Sequence, residues 1–270
     1  MLRKLQASDA MALHKLCAAA GWPHRERDCA LFLSLGTGFA ACAPDGGIIG
    51  AAMQWRWSAS CATVGMVLVT QAQQGKGLGR RLMTALLDAD PAQAVMLNAT
   101  EAGLDLYERL GFRPLGMVNQ HQGVVALPPA TNALRQAKAA DLPDIVALDS
   151  TAFGTPRASL IEGLLADSEI RVLERDGKLQ GFACRRQFGR GDAIGPLVAH
   201  TEQDAIKLTA ALLRPGFQRI DIPTEATALA AWLTQAGLVA VDSVTVMTRG
   251  NWPQHDGGAR RFALATQAFG

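Results

Sequence analysis

A single tyrosine stands among 270 residues, and no two cysteines are spaced as CxxC. The five cysteines, Cys17, Cys29, Cys42, Cys61 and Cys184, are an odd, scattered set. That excludes a disulfide framework and a zinc knuckle, and the expected compartment is reducing and cytoplasmic. Charged residues are few, 19% against roughly 25% in an average globular protein, while hydrophobic residues reach 49%, so general disorder is excluded. Neither sign of charge dominates: 26 basic and 24 acidic residues leave a formal net charge of +2. That is no footprint for nucleic acid or an anionic membrane, though it leaves room for a modest anionic ligand. No apolar run approaches the roughly 18 residues of a membrane span. The stretch after Arg3 and Lys4 is broken by Asp9, His14 and Lys15, unlike a signal-peptide core.

What the chain does contain is a long-period echo. Leu2–Asp9 resembles Leu134–Asp141, and each is followed by apolar residues at helical spacing, Leu13 and Leu16 in one case, Ile145 and Leu148 in the other. Asp45–Gly46 and Asp176–Gly177, turn dipeptides between β-rich runs, lie about 130 residues apart. Val64–Val69 is answered by Ile194–Ala199, and Thr100–Glu101 by Thr224–Glu225. Such a period is too long for a solenoid, so two copies of one domain are expected rather than one domain with long insertions. The expected boundaries are 1–127, a linker at 128–133 marked by Pro128 and Pro129, a second copy at 134–250, and a tail at 251–270 whose apolar content favours docking.

Within the first copy the pattern predicts helices near 9–19, 79–87 and 103–110. Strands are predicted near 38–42, 48–57, 62–69, 94–98, 113–117 and 123–127. Hairpins followed by strand–helix–strand units make an α/β fold: a mixed, mostly antiparallel sheet with helices on both faces.

The segment Gln74–Gly75–Lys76–Gly77–Leu78–Gly79–Arg80 joins the buried strand 62–69 to the next helix. Alternate glycines let the backbone curl so that several N–H groups point into one concavity at the positive helix end, a geometry that binds phosphate. The spacing is neither a Rossmann fingerprint nor a Walker A loop. A glycine-rich turn with no ligand is the plain alternative. Val67–Leu68–Val69 followed by Gln74-x-x-Gly77-x-Gly79 resembles the pyrophosphate signature of the GNAT superfamily of N-acetyltransferases. About 30 residues on, Asn98–Ala99 and then Leu104-x-x-Tyr107-x-x-x-Gly111–Phe112 resemble that family's second block. The resemblance covers roughly the first copy. It implies acetyl-CoA as cosubstrate and no metal. It further implies that the backbone of Val67, Leu68 and Val69 pairs with the pantetheine arm, that Gln74, Gly75, Lys76, Gly77, Leu78, Gly79 and Arg80 hold the pyrophosphate, and that Asn98 lies beside the arm. Tyr107 takes the family's general-acid position, against the plainer reading of a ring packed in the core.

The general base is not legible, because strand 62–69 carries no carboxylate; His24, Glu26, Asp28, Glu101 and His121 are candidates in segments read as loops. Trp55 and Trp57 alternate on one strand and share a face, which serves either core packing or a pocket wall. In the second copy, alignment on Gly195–Ala199 puts Asp204, Lys207 and Thr209 where Gln74, Gly77 and Gly79 stand, and Leu233 takes the place of Tyr107. That copy is therefore expected to be degenerate. The expected activity is direct acetyl transfer in a ternary complex to a primary amine of a small molecule or peptide, by a monomer or homodimer. An acyl-CoA-binding sensor without turnover and a pure scaffold are the alternatives.

Overall fold

Strand 61–69 is apolar without alternation, so it needs cover on both faces, and the sheet builds outward from it on either side. The computed structural model describes residues 1–128, 134–254 and 257–270. The linker expected at 128–133 lies, Pro128 apart, outside the described residues. The first half contains β1 (Leu2–Lys4), α1 (Ala10–Ala19), α2 (Glu26–Leu35), β2 (Thr37–Cys42), β3 (Ile48–Arg56), β4 (Cys61–Val69), α3 (Leu78–Ala89), β5 (Ala94–Ala99), α4 (Leu104–Arg109) and β6 (Arg113–Val125). The second repeats that order with β7 (Arg135–Gln136), α5 (Leu142–Phe153), α6 (Ala158–Asp167), β8 (Glu169–Arg175), β9 (Lys178–Phe188), β10 (Gly191–Ala199), α7 (Glu202–Leu212), β11 (Gly216–Pro223), α8 (Thr227–Gln235) and β12 (Val239–Arg249). A further strand follows, β13 (Arg260–Ala263).

These strands form one continuous mixed sheet in the order β1-β2-β3-β4-β5-β12-β6-β11-β10-β9-β8-β7, with β13 on β10. In each half the early strands are antiparallel and the last local pair, β4–β5 or β10–β11, is parallel. Each half then gives its final strand to the other. β6 pairs with β11 along Val118–Val125, and β12 inserts between β5 and β6. The sequence echo has a matching physical cause in both halves. Arg3 grips Asp9 with both guanidinium nitrogens at 2.7 and 2.8 Å, and Arg135 grips Asp141 at 2.6 and 2.9 Å. Each aspartate also accepts the amide three residues upstream, fixing the turn before the first helix.

On one face each half keeps its own core: α3 and α4 cover the first through Leu82, Met83, Leu86 and Tyr107, and α7 and α8 the second through Leu208, Leu212, Leu229 and Leu233. On the other face the halves share a core. Phe32 and Trp55 of the first half pack in one cluster with Ile145, Leu164, Phe188 and Phe269.

Several elements differ from the sequence expectation. Residues 113–125 are one strand, because β6 is held on both sides by strands of the second half. α2 was not predicted; its buried residues are few, and its start is fixed by Asp28 accepting the Arg25 amide at 2.8 Å. Glu26 and Asp28 thus lie in its first turn rather than in a loop. Asp176–Gly177, both at positive φ, form the tight β8–β9 turn, whereas Asp45–Gly46 sit in a longer loop between Cys42 and Ile48.

Candidate active site

β4 and β5 pair in parallel only over Cys61–Val64 and Ala94–Leu97, and beyond that they diverge. The divergence begins at a bulge. Met53 faces Gly65 but Ala51 faces Leu68, so β4 carries one extra residue, and Met66 takes φ +53°. The β5-facing backbone of β4 after Val64 is left open, the kind of edge that an extended chain with amide groups can fill.

The loop after β4 leads into α3. Gly75 and Gly77 both have φ +74°, where L-residues are strained, and no atom lies within 4 Å of a Cβ built on either, so the requirement is conformational. The amides of Gly75, Lys76, Gly77, Leu78, Gly79 and Arg80 make no hydrogen bond among the described residues; Arg81 is the first to donate back, to Gly77. Six free amides at a helix N-terminus make an anion cradle. Gln74 donates its side-chain amide to the Val69 carbonyl at 3.2 Å, and Lys76 folds back onto the Ala72 carbonyl at 2.8 Å.

Tyr107 lies on α4, buried, its ring edge-on to Phe112. Burial pushes its phenol up to about 12, so it keeps its proton, and its hydroxyl has no protein partner among the described residues. A Cβ on Gly103 would stand 2.8 Å from the Tyr107 ring, so that glycine lets the ring lie down. Asn98, at the end of β5, donates to the Gln267 carbonyl at 2.8 Å.

A cavity of about 230 Å³ opens at the divergence. The first half lines it with Met66, Val67, Asn98, Tyr107 and the loop before α2, including His24. The second half supplies Phe188, Arg190, Arg219 and Asp242, and the tail supplies Thr266–Ala268. The second-half and tail residues escaped sequence reasoning, since an exposed turn arginine, a strand arginine and a motif-poor tail look like ordinary surface.

Of the five proposed bases only His24 lines the cavity. Burial, with the nearby Arg219 and Arg186 charges, pushes its imidazole down to about 4, so the ring is neutral. Glu26 and Glu101 are exposed and outside the lining. Burial pushes the Asp28 carboxyl up, but Arg25 and the Gly189 amide outweigh it and hold it below the usual range. His121 is buried beside the Leu238 carbonyl, while its neighbours Gln120 and Gln122 reach the cavity. Trp55 donates to the Phe32 carbonyl and Trp57 to Thr63, both edge-on to Phe269, so their shared face is packed.

The second half builds the equivalent divergence and fills it. β10 and β11 pair over Asp192–Ile194 and Gln218–Ile220. Leu197–Ala199 then pair with β13, and Leu264 donates to the Asp221 carbonyl at 2.9 Å. No glycine loop is present: β10 ends at Ala199, and Thr201 already caps α7. The expected substitution of Asp204 into that loop is therefore corrected, because Asp204 sits in the first turn of α7, held by Arg175 and Thr201. Leu233 does stand at the Tyr107 position: Leu238 donates to Leu233 at 2.8 Å as Phe112 donates to Tyr107 at 3.0 Å.

A bulged β4 splayed from β5, followed by a loop of free amides, places the protein in the acetyltransferase class of α/β folds. Two family models described as acetyltransferase (GNAT) domains match residues 30–130 and 145–259. A protein of Bacillus subtilis (strain 168) named as the uncharacterized N-acetyltransferase YitH is 30% identical over 279 residues, spanning 100% of this chain and 98% of its own. This chain belongs to the GNAT acetyltransferase family, with two such domains in tandem. In fold it resembles a putative acetyltransferase from Pyrococcus horikoshii, at 20% identity, TM-score 0.81 and coverage of 100% and 95% of the two chains. It also resembles a tandem GNAT protein from the clavulanic acid biosynthesis pathway, at 14% identity, TM-score 0.65 and coverage of 92% and 98%. No helix among the described residues is long and apolar enough to cross a membrane.

Proposed function

We propose that the chain transfers acetyl from acetyl-CoA to a primary amine at one site, in the domain of residues 1–127, supported by a degenerate second domain at 134–250 and a tail at 251–270. The observation that carries this reading is the coincidence, at one open strand edge, of six free amides and an unpartnered, proton-retaining tyrosine hydroxyl. Acetyl-CoA supplies an acetyl thioester. The backbone of Val67, Leu68 and Val69 binds its arm, with Asn98 alongside, and Gln74 to Arg80 hold the pyrophosphate. Tyr107, protonated at neutral pH, gives its proton to the departing sulfur. His24 at the cavity wall is the proton acceptor for the amine, chosen because it alone of the candidate bases lines the cavity, although burial weakens it as a base. The amine attacks directly in a ternary complex by a monomer or homodimer. All five cysteines are free and buried, which supports a cytoplasmic setting.

Calorimetry with acetyl-CoA, repeated in Gly77→Asp, tests the cradle: binding in the wild type and its loss in the variant are expected, and unaltered binding would refute it. A sensor without turnover is the second reading, favoured by the absence of a carboxylate on β4. Release of free CoA in the presence of amines separates the two.

A further inference from the structure

We infer that the acceptor is a small amine carrying one carboxylate, an α-amino acid or a close relative, with that carboxylate held by Arg190 and Arg219 of the second half. This rests on the acetyltransferase reading and adds the acceptor class to it. Arg190 stands in the β9–β10 turn, exposed, with no carboxylate within 4 Å among the described residues. Arg219, on β11, is fixed in place: Nε donates to Asp221 at 3.0 Å and Nη2 at 2.7 Å. Its Nη1 makes no hydrogen bond among the described residues and is not among their fully buried unpartnered atoms, and the residue lines the cavity. A guanidinium already ordered by a neighbouring acid loses little freedom when it takes a carboxylate.

The strands around it continue the polarity. Gln122 lies across from Arg219 in the β6–β11 ladder, and Gln120 donates to Gln122 at 3.1 Å. Asp242 lies across from Gln120 in the β12–β6 ladder. An apolar amine would desolvate these groups without repaying their hydrogen bonds.

Charge narrows the class further. Of the charged residues lining the cavity, Arg190 and Arg219 are positive and Asp242 is negative; Asp221, outside the lining, offsets Arg219 from within the sheet, and His24 is neutral. A zwitterion keeps the balance; a polyamine adds net positive charge, and a phosphorylated amine net negative. The cavity of about 230 Å³ must also admit the acetyl end of the thioester.

Matched pairs test this directly: lysine against 1,5-diaminopentane, and methionine against 3-(methylthio)propylamine. CoA release gives kcat/KM for each. Calorimetric titration of each into protein saturated with CoA reads the pocket without turnover. The acid of each pair is expected to bind and react at least about tenfold better, as for a charge-assisted hydrogen bond. In Arg190→Gln, a change at an exposed turn residue that makes no hydrogen bond or ion pair among the described residues, that preference collapses toward unity; Arg219→Gln should do the same. Equal binding and rate within each pair, or a preference that survives both variants, overturns the inference. CoA release indifferent to the carboxylate would do so while leaving acetyl transfer intact, whereas tight binding of the acids with no CoA release would remove the transferase reading alone.

Discussion

Tyr107 keeps its proton because its ring is buried, and that sets its expected behaviour. Tyr107→Phe should lower kcat about 100-fold or more with acetyl-CoA affinity little changed, as measured by steady-state kinetics beside calorimetry. The wild-type rate should show no basic limb from this group below about pH 11, since the acid form persists toward 12. The two glycines of the loop differ in what they need. Gly77→Ala forces an L-residue to φ +74°, while a Cβ on Gly79 would meet Leu106 at an ordinary 3.4 Å. Gly77→Ala should therefore cost about 1 kcal/mol and weaken acetyl-CoA binding, and Gly79→Ala should do much less, by chemical denaturation and titration. For His24 the folded value near 4 lies below the unfolded value near 6.5, so the unfolded chain binds the extra proton and stability falls as pH drops through that window. An acid loss between pH 7 and pH 4.5 that is larger in the wild type than in His24→Phe by on the order of 2 kcal/mol is expected from urea unfolding at both pH values. At this scale the sequence was legible where chemistry leaves one choice, as with glycines at positive φ. Arg190 was not legible, because only the partner half gives an exposed turn arginine a cavity to face.

Elements were legible in proportion to their periodicity. β4, with its nearly all-apolar run, and α3, with Leu82, Met83, Leu86 and Leu87 on one side, stand close to where the pattern predicts them. α2 has buried residues only at Asp28, Cys29 and Phe32, too sparse a stripe to read. Where the tail docks was unreadable for another reason: its strand pairs with β10, a partner far from it in sequence that only the fold supplies. Its end is anchored by Arg157, fully buried, which donates to the Phe269 and Gly270 carbonyls and pairs with Asp149 at 2.7 and 3.0 Å. Asp149→Ala leaves that guanidinium buried and unpaired, so a loss of about 3–5 kcal/mol is expected in denaturation midpoints. Because the same tail presents Thr266–Ala268 to the cavity, the variant should also raise the acceptor KM more than the acetyl-CoA KM.

For the whole molecule, two domains were legible from the echo, but their joining was not. Each half reads as complete in sequence, yet each sheet contains the other's last strand. With β13 filling the second divergence, one equivalent of acetyl-CoA per chain is expected in a calorimetric titration, and two equivalents would contradict that reading.

The exchanged strands also set a clock. β5 emerges from the ribosome roughly 140 residues before β12, the strand that covers its far edge, begins. At about 5–20 residues per second, that edge waits on the order of ten seconds for its partner during every round of synthesis. The nascent first half is therefore the stage most exposed to edge-to-edge pairing between neighbouring chains, and the stage at which a holding chaperone has most to protect.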